Sequence, residues 1–300
     1  MSTSRSGLAA GIGGYLLWGL FPLYWPLLEP AAPVEILAHR IVWSLVFLLA
    51  LLALTAGFRW VRGLSRRSVW LLALAAVIVT VNWGVYIYGV NSEHVVETSL
   101  GYFINPLVTV ALAVGFLGER LRRRQVMALA VAAAGVLVLA VDYGRPPWIA
   151  LALAFSFASY GLVKNRAGVD GAQSLTVETS FLLIPTLAYL AWLGSTGRGT
   201  FTSEGAGHVA LLVGGGVVTS LPLILFGMAT VRIPLSTVGL LQYLTPSIQF
   251  LIGVLVYDEP LPLSHLLGFA LVWLALALFL LDAFGASRGR VRAAAAGAPA

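Results

Sequence analysis

Cysteine is absent from the 300 residues, which excludes disulfides and thiolate metal sites and leaves the redox compartment open. Charge is scarce as well: Asp, Glu, Lys and Arg make up 10% of the chain, where a soluble domain carries roughly 25%. With 59% hydrophobic residues and a mean hydropathy of +0.93, water is not the main solvent. A soluble enzyme, a disordered chain and a nucleic-acid binder are excluded together. Lysine occurs once, as Lys164, against 17 arginines; beside so much Ala and Gly this reads as GC-rich coding rather than function. The four histidines, His39, His94, His208 and His265, lack metal-ligand spacing. Gly11-Ile12-Gly13-Gly14 fails as a dinucleotide fingerprint, because position 16 is Leu and no strand precedes it. No His-Glu-x-x-His, P-loop or Gly-x-Ser-x-Gly elbow occurs. No cofactor and no metal are expected, and direct use of ATP is not.

What is present is long apolar runs. A spanning helix needs about 20 apolar residues, and ten runs qualify: 8–28, 35–54, 70–90, 96–118, 125–141, 148–164, 175–194, 208–230, 236–256 and 264–284. The first is too long for the apolar core of a signal peptide. Residues 286–300 hold Arg288, Arg290 and Arg292 among alanines and read as a basic disordered tail. With the N-terminus inside, the inner side collects Arg5, Arg59, Arg62, Arg66, Arg67, Arg120, Arg122, Arg123, Arg124, Lys164, Arg166, Arg232 and the tail arginines. The outer side holds only Arg145 and Arg198. This asymmetry predicts both termini in the cytoplasm.

Sliding the chain on itself by 140 residues superposes Pro106 on Pro246, Glu119 on Glu259, Leu121 on Leu261 and Asp142 on Asp282. Slightly larger shifts bring Trp18-Gly19 onto Tyr160-Gly161 and Glu35 onto Glu178. Each unit holds five spans, an odd number, so the second copy enters the membrane inverted. The expected fold is an all-α membrane protein of ten transmembrane helices in two inverted five-helix repeats, 1–145 and 146–285.

The kinks and polar intruders indicate a path. Pro106 and Pro246 each lack an N–H and each clash with the carbonyl four residues back, so free carbonyls are expected at residues 102 and 242. At i, i+3, i+7 the first copy reads Tyr102, Asn105, Thr109 and the second Gln242, Thr245, Gln249. Two kinked helices would turn these polar stripes to a shared centre and line the substrate path; the alternative is that they only stitch helices. Asn82 and Tyr86 share a face that could join the same cavity. Trp18 and Tyr160 are suited to stacking on a flat ligand or to ordinary packing. His39, Arg40 and Glu178 are the candidates for charge coupling. Against that role, Arg40 is expected to snorkel to the interface, with binding of an anionic group as the alternative, and Glu178 to sit at a solvated helix end, with titration or a pair with Lys164 as the alternative. Gly7-x-x-x-Gly11 and Gly214–Gly216 are expected to let helices pack closely.

The run Leu100-Gly101-Tyr102-Phe103-Ile104-Asn105-Pro106-Leu107, followed by Leu117-Gly118-Glu119-Arg120, resembles the EamA-type members of the drug/metabolite transporter superfamily, and within them the RarD branch. So do Trp18-Gly19, Glu35-Ile36-Leu37 with His39-Arg40, Asn82-Trp83, and Ala154-Phe155-Ser156-Phe157 with Tyr160-Gly161-Leu162-Val163. The likeness runs from about residue 8 to 284. The second copy departs from the first in reading Tyr257-Asp258-Glu259-Pro260, without a Gly before the Glu. The resemblance implies a multi-pass permease of a bacterial cell membrane, and the branch name is associated with chloramphenicol sensitivity. The expected function is ATP-independent secondary transport of a small organic molecule or metabolite, with export as its direction and a proton as coupling partner. A membrane-embedded enzyme acting on a lipid-linked substrate through His39, Glu97 or Glu178 is the alternative.

Overall fold

The computed structural model describes residues 4–92, 94–143, 146–257, 266–268, 270–278 and 281. Arg145, Glu259, Asp282 and the tail 286–300 lie outside them. In a lipid core every backbone N–H and C=O must find its partner within the protein, and here long helices meet that demand. They are α1 (Arg5–Gly19), α2 (Pro33–Leu54), α3 (Arg66–Asn91), α4 (Val95–Leu117), α5 (Arg123–Tyr143), α6 (Trp148–Ala167), α7 (Gly171–Ser195), α8 (Gly205–Arg232), α9 (Leu235–Leu241) and α10 (Leu244–Val256). A shorter apolar helix, α11 (Leu266–Leu278), follows. Among the described residues no strand occurs.

Among the described residues eight segments are long and apolar enough to cross a membrane, with α9 and α10 counted as one. Of the ten expected, α6 misses because Lys164 and Asn165 at its end interrupt the apolar run, and α11 is described only over a shorter stretch. Two expected spans are not single helices. The first ends as an α-helix at Gly19, and residues Phe21–Leu23 and Trp25–Leu28 form two 3-10 turns led by Pro22 and Pro26. The ninth breaks at Gln242-Tyr243, four residues before Pro246 reaches back. The carbonyl expected to be free there is not: Gln242 O accepts Thr245 N at 3.1 Å, a tighter i→i+3 bond. Left-handed glycines close two helices, Gly118 after α4 (φ 65°) and Gly168 after α6 (φ 64°).

Helices alternate in direction, so the bundle has a basic end, holding Arg5, Arg66, Arg123, Arg166 and Arg232, and a distal end, where α1 stops and α2, α4, α6 and α8 begin. The principal packing joins the two halves of the sequence: α4 on α6 and α9, α3 on α6, α1 and α2 on α8, α1 on α10. One core therefore serves both predicted units, with Leu48, Val110, Ala154, Phe226, Leu235 and Val272 all in it. The glycine run behaves as expected. A Cβ on Gly216 would run into the Trp43-Ser44 backbone of α2, and Ser44 Oγ donates to Gly216 O at 3.0 Å.

The Gly118-Glu119 turn carries a link between the halves that sequence reading passes over. Glu119 accepts from Leu235 N at 2.7 Å, Ser236 N at 3.0 Å and the Ser236 hydroxyl, so a carboxylate from the first half caps the start of α9 in the second. At the distal end Glu97 does the same for α6, accepting Ile149 N at 2.6 Å.

Candidate functional site

On α4 the sequence of exposures describes a descent. Ser99 and Tyr102 are exposed (Tyr102 39%), whereas Asn105 and Thr109 on the same face are buried. Exposure along this face thus falls within two turns of α4 from the distal end inward. At its buried end α4 meets the break between α9 and α10. Thr109 Oγ1 donates to Asn105 Oδ1 at 3.1 Å and lies 3.4 Å from Gln242 Oε1. Gly239 makes this approach possible, since a Cβ there would stand 3.0 Å from the Thr109 side chain and 3.2 Å from Pro106 O. The buried Tyr15 hydroxyl is turned toward Gln242 without completing a hydrogen bond.

Arg40 is held within the bundle rather than directed to the helix end. It stands seven residues into α2, about 10 Å down the helix, and its side chain reaches the adjacent α8. Its Nε donates to Thr219 Oγ1 of α8 at 2.8 Å. The guanidinium lies 4.6 Å from the centre of the Trp25 ring and 5.5 Å from that of Trp83. Tyr86 and Tyr102 sit beside the charge, with their rings 6.3 Å apart, edge to face. Tyr86 is itself 38% exposed. An arginine at membrane depth costs about 2.5–3.5 kcal/mol on insertion scales. Cation–π contacts of about 0.5–2 kcal/mol each and the Thr219 bond offset that cost, with no counter-ion among the described residues. Trp83, three residues from Tyr86 on one helical face, was recoverable from spacing. Trp25, in an unforeseen 3-10 turn, and Thr219 carried no signal.

At the distal end, Glu35 Oε1 accepts Thr200 N at 2.6 Å, His208 Nε2 pairs with Thr200 Oγ1 at 2.9 Å, and His39 stacks on Phe201 with ring centres 4.6 Å apart. Glu35 Oε2 and His39 Nδ1 are buried with no hydrogen-bond partner. Toward the basic end Glu178 is not a solvated helix end. It is 1% exposed, as is Lys164, and the two form an ion pair at 2.7 Å. Tyr160 completes the group, donating to Glu178 Oε2 at 2.7 Å and lying 3.1 Å from Lys164 Nζ. Lys164 is therefore an interior residue rather than a loop cation. Of the two readings of Glu178, a solvated helix end or a pair with Lys164, the structure has the pair.

Other predicted residues lie elsewhere. Thr245 Oγ1 donates to Tyr15 O (2.9 Å) and Gln249 Nε2 to Trp18 O (3.2 Å), so both tie α10 to α1. Asn82 Nδ2 reaches Leu153 O at 3.0 Å and Ser156 Oγ at 2.8 Å on α6, away from Tyr86. Trp18 and Tyr160 share an aromatic cluster with Tyr15, Phe157 and Phe226; Tyr160 is fully buried and stacks on Phe226 at 5.8 Å. Of the ten path candidates, Tyr86 meets Tyr102, and Thr109 meets Asn105 and Gln242.

The profile of the EamA-like transporter family matches residues 5–141. The chain is 54% identical to Protein RarD of Streptomyces exfoliatus, covering 97% of this chain and 94% of that one. It is 43% identical to the uncharacterized transporter YojE of Bacillus subtilis, over 92% and 94% respectively. A crystal structure 19% identical in sequence has the same fold, with a TM-score of 0.70 over 93% of this chain and 99% of the other. These relatives and the apolar helices make it a multi-pass plasma-membrane protein. The chain belongs to the EamA-like transporter family, in the RarD branch of the drug/metabolite transporter superfamily.

Proposed function

We propose that the protein is a secondary, ATP-independent exporter of a small organic molecule, working by alternating access around a cleft lined by the Tyr102, Asn105 and Thr109 face of α4. The observation that carries this reading is the closing stripe on α4, open at Tyr102 and shut at the Asn105–Thr109–Gln242 contact against a broken helix. Discontinuous membrane helices typically form the substrate sites of transporters built from repeats. In this reading the units 1–145 and 146–285 are inverted repeats that rock about the cleft, with both termini cytoplasmic and the distal end outside. The aromatic cluster and the Lys164–Glu178 pair then seal the cytoplasmic half. Glu35 and His39, buried with an unpartnered atom each, with His208 and Tyr189 as titratable neighbours, supply a site for a coupling proton. The enzyme alternative fits less well: His39, Glu97 and Glu178 are held in three separate contacts, and catalysis needs converging groups.

The test is a compound screen in inside-out and right-side-out vesicles without ATP. Transport driven by an imposed proton gradient is expected, outward with respect to the cell. Full-rate transport after collapse of both the proton gradient and the membrane potential would exclude proton coupling. Transport only when ATP is supplied would overturn the secondary mechanism.

A further inference from the structure

Arg40 is held but not neutralised. Its Nε is engaged by Thr219, while its two terminal nitrogens make no protein hydrogen bond among the described residues and are not closed off from the cleft. Glu35 Oε1 accepts Thr200 N and Glu97 Oε1 accepts Ile149 N, and neither carboxylate forms an ion pair with Arg40. Among the described residues Arg40 forms no salt bridge. Tyr86 and Tyr102 stand beside the same charge, and among the described residues neither hydroxyl is hydrogen-bonded. Trp25 and Trp83 present ring faces around the guanidinium. Each of these groups is explained by packing alone except the free edge of the guanidinium. That edge is a planar donor fork matched to a carboxylate, with two phenols able to add donors and aromatic surface to receive an apolar body.

We propose that Arg40 anchors the anionic group of the transported molecule, so that the substrates are organic monoanions, carboxylates above all, with a flat apolar body. The inference rests on the reading of the cleft as the transport site. One cation matches one negative charge. A dianion such as a phosphate monoester would bring an uncompensated charge into a low-dielectric site and is disfavoured. A neutral compound would leave the guanidinium unpaired and gain only from the aromatic walls. The same logic gives Thr219 a positioning role: it fixes the rotation of the fork so that its free edge faces the cleft.

The test is isothermal titration of the full chain in nanodiscs with 1-naphthoate and with its neutral isostere 1-naphthamide, empty nanodiscs being subtracted. The carboxylate is expected to bind about tenfold or more tightly than the amide. Arg40→Gln should bring the carboxylate down to the level of the amide and leave the amide unchanged. Arg40→Lys, which keeps the charge but not the fork, should fall between. Equal affinity for the two probes in the wild-type protein overturns the proposal, and so does a preference that survives Arg40→Gln in folded protein. The absence of binding by either probe overturns it as well. Because the wild-type comparison uses no variant, it decides even where Arg40→Gln fails to fold. Equal binding of both probes would leave the transporter reading standing. Failure of that reading would appear instead as no movement of any compound in the vesicle screen.

Discussion

Replacing Lys164 by Met is expected to destabilise the protein by about 3–5 kcal/mol, the usual cost of stripping one partner from a buried ion pair. The structure sets this magnitude. Both side chains are almost wholly excluded from solvent, the charged atoms are 2.7 Å apart, and the one remaining partner of Glu178 is the Tyr160 hydroxyl. The variant must therefore bury a carboxylate with a single donor or protonate it. An apolar pair of similar volume removes the problem, so Lys164→Met with Glu178→Leu should recover most of the loss. Reversible unfolding in mixed micelles with increasing SDS, followed by tryptophan fluorescence, gives the four free energies of the cycle. The single variant should lower the folding equilibrium constant by about two to three and a half orders of magnitude. A loss below about 1 kcal/mol for Lys164→Met would mean that the pair is hydrated. A double variant no more stable than the single would mean that the cost lies in packing rather than charge. Either result refutes the reasoning.

Three further outcomes are expected. A cysteine at Ser92 should react with an impermeant thiol reagent from outside intact cells and one at Ser65 should not; the reverse pattern would invert the proposed orientation. Asn105→Ala and Gln242→Leu should each weaken apparent substrate affinity by about 0.5–1.5 kcal/mol, a few-fold, with turnover normalised to folded protein. Wild-type affinity in both would reduce that contact to helix stitching. Glu119→Ala removes the cap of α9 and should cost about 1–2 kcal/mol, read as lost folded protein in detergent extracts, whereas Arg120→Ala, on the exposed neighbour, should leave the yield unchanged.

The amino-acid sequence by itself determined the membrane class, the helical fold and the approximate limits of nearly every helix. The reason is physical: a lipid solvent admits few backbone solutions, and apolar runs of spanning length report them directly. It also singled out ten side chains as path candidates, because polar groups are costly in hydrocarbon and stand out against it; of these, Tyr86 meets Tyr102, and Thr109 meets Asn105 and Gln242. What only the tertiary structure decided is where each polar atom ends. Thr245, Gln249 and Asn82 satisfy themselves on neighbouring helices, Glu178 finds Lys164 across the α6–α7 turn, and Glu119 reaches a helix 116 residues away. Arg40 looked like an interfacial arginine until Thr219 and two tryptophans, from three separate stretches of chain, were seen to hold it inside. Hydropathy is a property of one segment, but the partner that makes a buried charge tolerable lies on another, and only the packed bundle brings them together.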